Sequence, residues 1–556
     1  MPADLRFLRA LAARWARPLF AGAAVMVVES SFVLAVPWIV GMLTSVLFGR
    51  KGPWDLGLPA LFVLLLGAFA AQALCSLVHQ RTTARVFSEI VTSLRISLYE
   101  HLQSLSYQRR TELPSGDAST LLGRDAQDAS QFVSDFLSGL FPTVLTAGTT
   151  IALLITISPL HGVAVAVAVP AYLVLVKLTG RRFGRLSSDL ATARAEANAV
   201  ADDQLRLWQI ARAFAVEPFM VERYRRLEER VRRYGEMLQR SVAALHPLTQ
   251  LAAVAGVLAL VWPMSGRVLE GTLSPDAFIR FLLYALVLSR TVGALAGLYG
   301  SLQRARGSAG RLAAVFEQLP ERRSGIAIPK MSRSIALSNL TFAYGGRAPV
   351  FDGVDLTIRQ GELVIVTGPN GSGKSTLVKL LLGLLDPSSG RIAIDGVDIS
   401  SASLSSLRQQ FAWVPQDTLL LRGTVRENIV LGRDVPSDAL DRALDQSKAR
   451  AVVSALPGGL DALIGEGGVN LSGGERQRIA LARALMSDHP VLLLDEATSM
   501  IDLVTEAELI ARLEAFSGVR TVLLVSHRVP RLSVPHRILT IRNRRIVEAP
   551  PVSVVA

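Results

Sequence analysis

The stretch GPNGSGKST (368–376) has the residue types and spacing of a phosphate cradle. Its first eight residues fit G-x-x-x-x-G-K-[ST]. Glycines at Gly368, Gly371 and Gly373 let backbone N–H groups turn inward onto phosphate oxygens. A helix that starts there adds the positive end of its dipole. Lys374 is placed to hold β- and γ-phosphates, and Ser375 to ligate Mg²⁺. Together with Asn370, Ser372 and Thr376, these are the candidate nucleotide contacts. Further on, VLLLDE (491–496) delivers two acids after four aliphatics. Asp495 is placed to hold the Mg²⁺ shell and Glu496 to polarise an attacking water. A second glycine-rich turn, LSGGERQR (471–478), opens another helix and has no phosphate left to hold in its own chain.

The elements that must position these groups read as soluble α/β. LVIVT (363–367), FAWVP (411–415), VLLLD (491–495) and TVLLVS (521–526) look like buried strands separated by helical stretches, as in a mostly parallel sheet. The phosphate loop follows the first of them and precedes TLVKLLLGLL (376–385), the strand-then-helix context that its chemistry needs.

The first 300 residues have a different chemistry. Six long apolar stretches run over 19–43, 56–78, 136–157, 162–178, 248–264 and 277–300. A helix of about 20 such residues crosses about 30 Å of hydrocarbon. The fourth and fifth stretches reach that length only with their flanks. The first is too long for a cleaved signal peptide. The chain is half hydrophobic and 19% charged, against about 25% charged in ordinary soluble proteins. The formal net charge of +13 suits an anionic surface. Its arginines cluster in the long connections 79–135 and 179–247, whereas the short loops hold only Arg50, Lys51 and Arg267. That bias puts the long connections and both chain ends in the cytoplasm and favours membrane lipid over nucleic acid as the partner. Residues 4–18 alternate Arg with Leu, Phe and Trp, as an amphipathic helix at the inner interface would. Cys75 is the only cysteine, so there is no internal disulfide and no cysteine metal cluster. The expected organisation is an interfacial helix (1–18), a membrane domain (19–300), a charged linker (301–334) and a nucleotide-binding domain (335–548). The fold class is an all-α six-helix transmembrane bundle followed by an α/β P-loop ATPase domain with a helical subdomain.

With these motifs the chain resembles an ABC half-transporter of the exporter type, in which six spans are fused to one ATPase. The family's signature matches LSGGE (471–475). The resemblance implies that two ATPase domains stack head to tail, each ATP lying between one copy's phosphate loop and the other's signature. Ser472, Gly473, Gly474 and Glu475 would then serve a second copy's nucleotide, which answers why the turn exists and implies a homodimer. It further implies that Tyr344 stacks on adenine. Gln416 reaches Mg²⁺ and the water, Asp502 couples the two sites, and His527 contacts the γ-phosphate. Short transverse helices are implied near 113–123 and 205–214, the first docking on its own ATPase domain and the second on the partner's. GEGG (465–468) resembles the loop that touches them. Glu475 departs from the commoner Gln, and Met500 and Ile501 from the usual Ala and Leu; no catalytic group is lost.

The substrate is less legible. Glu29 lies midway along the first stretch, where an ionisable group is costly and faces a cavity or partner, such as Arg290 or a cationic substrate. His246, Thr249, Gln250 and Tyr284 are further cavity candidates. No fused leader-peptide protease is expected. These residues suggest ATP-driven export across a bacterial inner membrane, of a modified antimicrobial peptide or an amphipathic drug. A lipid flippase and an importer built on the same fold are the alternatives.

Overall fold

The structure, a computed structural model, describes the chain except residues 1–2, 50–55, 113–114, 323, 469, 498–502, 531 and 550–556. At some further helical positions, most of them between 171 and 260, it describes the backbone alone. Two compact units emerge: Met1–Gln103 with Pro114–Gln318, and Ser104–Leu113 with Leu319–Ala556.

The first unit is helical. It contains α1 (Ala3–Arg14), α2 (Ala16–Leu47) and α3 (Leu58–Ser104), then, past the short α4 (Tyr107–Glu112) that groups with the second unit, α5 (Ser115–Thr120) and a π-helical turn, Leu121–Asp125. There follow α6 (Ala126–Ile157), α7 (Pro159–Arg206), α8 (Trp208–Phe214), α9 (Glu217–Leu269) and α10 (Pro275–Phe316). Each of the six apolar stretches falls in one of the six long helices. Among the described residues, four segments, within α2, α3, α5–α6 and α10, are long and apolar enough on their own to cross a membrane. The helices run far beyond the apolar stretches because nothing in the flanking polar sequence breaks them. α10 therefore absorbs the first half of the expected linker.

Packing between α6 and its neighbours uses small hydroxyl residues. Ser130, Ser138, Thr146 and Thr150 are buried on α6, and each donates to the carbonyl four residues back at 2.6–2.8 Å. This satisfies the hydroxyls locally and leaves a narrow face for close helix approach. Tyr284 of α10 is 3% exposed, and its hydroxyl donates to the Leu34 carbonyl (2.9 Å). It is a core residue, not the cavity lining expected of it. α1 does not stand alone either: Asp4 pairs with Arg306 (2.7 Å), Phe7 stacks on Phe316 and Leu8 is buried. His246, Thr249 and Gln250 have no described side chain. Glu29 is half-buried and Arg290 exposed, and no ion pair joins them among the described residues.

The second unit is built on β-structure. Its strands are β1 (Ser334–Phe342), β2 (Phe351–Arg359), β3 (Leu363–Thr367), β4 (Ser389–Ile394), β5 (Val397–Asp398) and β6 (Phe411–Val414). They continue with β7 (Gly423–Thr424), β8 (Leu463–Ile464), β9 (Val491–Asp495), β10 (Thr521–Val525), β11 (Arg537–Arg542) and β12 (Arg545–Glu548). Six form the sheet β12-β11-β3-β10-β9-β6, with β11, β3, β10, β9 and β6 parallel. β9 and β10 are buried at every position, which is why they read as unbroken aliphatic runs. Register fixes the site: Val525 lies opposite both Asp495 and Val366, and Val414 opposite Leu494. The carboxyl ends of four strands thus open onto one edge, where parallel sheets bind ligands.

Residues 104–113 belong to this unit. The short helix that groups with the ATPase is therefore α4, just ahead of the 113–123 segment expected for it. The Tyr107 ring lies 5.4 Å from the Lys379 ammonium and packs on the unit's main core. The second expected segment is α8.

Candidate active site

β3 runs straight into the phosphate loop. Gly368 has φ +154, and a Cβ there would meet Ser372 Oγ at 2.7 Å and the Ile541 carbonyl at 2.9 Å. Gly373 has φ +109, and a Cβ would come 2.5 Å from Val350 Cγ1. Both positions are closed to any side chain. From Gly373 the helix Lys374–Leu381 begins, so its free N–H groups face the loop's interior. Ser372 Oγ is buried and has no hydrogen-bond partner among the described residues. Lys374 is 6% exposed, and its Nζ donates to the carbonyls of Gly368 (3.0 Å) and Pro369 (3.3 Å). A buried ammonium held by carbonyls, an orphaned hydroxyl and free helix N–H groups fit a polyphosphate.

Asp495 ends β9 with 3% exposure and accepts from Ser375 Oγ at 3.4 Å. Burial pushes its carboxyl above the ordinary value; Ser375 pulls the other way, and the neighbouring Glu496 charge adds to the rise. A cation would reverse that cost. Ser375 and Asp495 stand close enough to share one, which fits Mg²⁺ completed by phosphate oxygens and water.

Glu496 adopts the left-handed region (φ 52), a sparsely populated conformation for a residue with a side chain. It aims the carboxylate at two donors: Oε1 lies 2.7 Å from His527 Nε2, and Oε2 accepts from Gln416 Nε2 at 2.9 Å. His527 Nδ1 stands 3.5 Å from Lys374 Nζ. If Nε2 carries the imidazole proton, Nδ1 is free to accept from the ammonium. Lys374, His527, Glu496 and Gln416 therefore form one connected chain. In this arrangement Gln416 meets Glu496, not the Ser375–Asp495 pair. Tyr344 bonds through its hydroxyl to Thr376 Oγ1 (3.1 Å) and meets Phe342 edge-on, with 37% of its surface open. That places an open aromatic face beside the phosphate loop.

Ser472 caps the helix Gly473–Leu485 with a complete capping box. Its N–H donates to Glu475 Oε2 (2.7 Å), and the Glu475 N–H donates to its Oγ (3.3 Å). The Ser472 N–H, and after it the Ser472 side chain, hold the Glu475 carboxyl below its ordinary value. Leu471, Ile479 and Ala482 of this segment pack in one core, while Ala480, Leu481 and Ala484 pack on the central sheet with Leu363 and Ile365 of β3. Asn370 and Gly371 lie in the turn of the phosphate loop, and Gly473 and Gly474 open the signature helix, whereas Asp502 lies outside the described residues. One contact escaped the sequence reading. Gln477, 1% exposed on the signature helix, reaches the Glu496 carbonyl at 3.5 Å. Its signal was a polar residue on the helix's apolar face.

A phosphate cradle, an acid pair and a histidine on one sheet edge, carried by a chain with long apolar helices, define a multi-pass membrane protein that hydrolyses ATP. Residues 351–499 match the family model "ABC transporter" and residues 19–292 match "ABC transporter transmembrane region". The chain belongs to the ABC transporter family, as an exporter-type half-transporter whose ATP hydrolysis is coupled to transport. The ATP-dependent lipid A-core flippase of Burkholderia pseudomallei is 30% identical over 545 residues, 96% of this chain and 90% of that protein. The flippase of the same name from Nitrosococcus oceani is 30% identical over 490 residues, 87% of this chain and 82% of that one. The fold is shared with a solved bacterial Atm1-family ABC exporter with ATP bound: TM-score 0.85, 24% identity, 96% of this chain and 94% of that one.

Proposed function

We propose that this chain is an ATP-driven lipid flippase of a bacterial inner membrane, working as a homodimer with its ATPase units in the cytoplasm. The observation that carries the lipid reading is the 30% identity, over nearly the whole chain, to proteins named lipid A-core flippases. The peptide or drug cargo expected from the sequence gives way to it, since nothing in the comparisons favours either. The cargo class is a membrane lipid.

In this reading Lys374, Ser372 and the loop N–H groups hold the phosphates, and Tyr344 stacks on the base. Mg²⁺, held by Ser375 and Asp495 with Gln416 nearby, would neutralise phosphate charge. Glu496 takes the proton from the attacking water, His527 orients Glu496 through Nε2, and the γ-phosphoryl leaves ADP for that water. Ser472, Gly473 and Gly474 of the second copy close the site, and Asp502 would link its two halves. Closure and reopening bias the helical unit between two packings.

The test is ATPase activity and headgroup transbilayer movement in proteoliposomes. Lipid A–core lipid is expected to stimulate turnover in the wild-type chain, and ATP to move the labelled lipid. Stimulation by cationic peptides or drugs, with no response to that lipid, would return the peptide or drug reading.

A further inference from the structure

The segment that reads as an interfacial helix spends its apolar face on the protein itself. α1 packs against α10 and α6: Phe7 stacks on Phe316 with ring centres 5.8 Å apart, Leu8 is 4% exposed, and the Trp15 indole nitrogen is buried. Asp4, the one acid among residues 3–18, is held by Arg306 at 2.7 Å. What stays open on α1 is Arg6, Arg9, Ala10, Ala13 and Arg14. These positions recur every three or four residues, so they share one face. Among the described residues, no ion pair or hydrogen bond occupies those three guanidinium groups or that of Arg17. One turn past Arg17, Phe20 is exposed within the first apolar stretch. Open charge therefore gives way to open apolar surface there, as at a headgroup boundary.

We infer that the arginine face of α1 is a docking surface for anionic phospholipid headgroups of the leaflet it borders. A helix lying on a membrane ordinarily sinks its apolar face among the acyl chains. Here that face is occupied, and only charge is left to make the contact. From Arg6 to Arg14 the helix rises about 12 Å. Separate charges along an open row suit a sheet of phosphates better than the headgroup of one transported lipid. Since Asp4 and Phe7 fasten α1 to Arg306 and Phe316, headgroups gripped there also anchor the part of α10 beyond its apolar stretch. That the leaflet is the cytoplasmic one rests on the proposed function; the docking itself does not.

The full chain in neutral detergent is mixed with phosphatidylglycerol, phosphatidylcholine or lipid A–core lipid, and bound lipid is counted by native mass spectrometry. Phosphatidylglycerol should be retained in preference to phosphatidylcholine, and excess inorganic phosphate should not displace it. Each arginine is expected to contribute about fivefold, so the combined Arg6→Gln, Arg9→Gln and Arg14→Gln variant should need about 100-fold more phosphatidylglycerol. The matching triple Arg→Lys variant keeps the charge and should bind nearly as the wild type does. ATP hydrolysis in detergent shows that both variants are folded. Equal phosphatidylglycerol binding by the Gln variant and the wild type, equal binding of phosphatidylcholine, or displacement by phosphate overturns the inference. So does loss of lipid A–core binding alone in the Gln variant, which would make the row a cargo site. Ala10→Cys in a Cys75→Ser background, exposed to an impermeant maleimide in inverted and right-side-out vesicles, tests the leaflet separately. Labelling only in right-side-out vesicles would sink the cytoplasmic placement, and the lipid count would still decide the docking.

Discussion

Glu496 shows how one residue's conformation and partners set its chemistry. Its left-handed backbone turns the carboxylate back between His527 and Gln416, so the group that takes the water's proton in the proposed reading is held by two donors. Glu496→Gln should retain ATP binding and lose about 10²–10⁴ in turnover, the range for a general base. Parallel nucleotide-binding and steady-state hydrolysis measurements check this, and normal turnover would remove Glu496 from the role. His527→Ala frees one carboxylate oxygen and should lower turnover by about 10²-fold, with the ATP concentration for half-saturation much less affected. The sequence made these residues visible because each sits at the end of a buried aliphatic strand. Their mutual contacts were not visible: Gln416 is 80 positions from Glu496 in the chain, and only strand register brings them together. The Glu475 carboxylate was noticed as a departure, yet its capping role needed the geometry of the turn.

At the level of elements, Asp395 anchors the start of β1. Its carboxylate accepts from the N–H groups of Ser332 (2.7 Å), Arg333 (2.9 Å) and Ser334 (2.8 Å) and from the Ser332 hydroxyl (3.1 Å). Partial burial raises its pKa, but these bonds outweigh that and bring it below the ordinary 3.8. Stability from a carboxylate with a depressed pKa is present above its unfolded value and is lost as pH falls through the folded one. Asp395→Ala should therefore destabilise the ATPase unit by about 1–3 kcal/mol at neutral pH. Denaturant unfolding should show that gap shrinking below about pH 3.8. A second element-level expectation concerns α4. Replacing Tyr107 with Leu keeps its apolar contact but loses the ring beneath Lys379, whereas Tyr107→Phe keeps both. Lipid-stimulated ATPase should fall in the Leu variant and survive in the Phe variant; equal loss in both would point to the hydroxyl instead. The strands and the phosphate loop were legible because burial on both faces leaves an unbroken aliphatic signature. Helix ends were not legible. α10 continues to Phe316 and α1 packs on it through Phe7, since a polar helical sequence carries no mark of where a membrane span stops.

For the whole molecule, the two units meet different demands: one must satisfy every backbone group inside hydrocarbon, and the other must hold a polyanion. Composition alone separated them, because an apolar fraction that suits lipid and a glycine-rich loop that suits phosphate cannot serve each other's purpose. It did not reveal the cargo, since the helical cavity candidates are single polar residues without a repeating pattern. The central claim is that a working site takes its phosphate loop from one copy and its signature from another. Mixed dimers test it directly. Lys374→Ala disables the loop and Ser472→Arg the signature, so each variant alone should be inactive. Assembled together, one composite site retains both intact halves, and ATP hydrolysis should rise well above that of either variant. Hydrolysis in the mixture that never exceeds the sum of the two separate preparations would contradict the shared site.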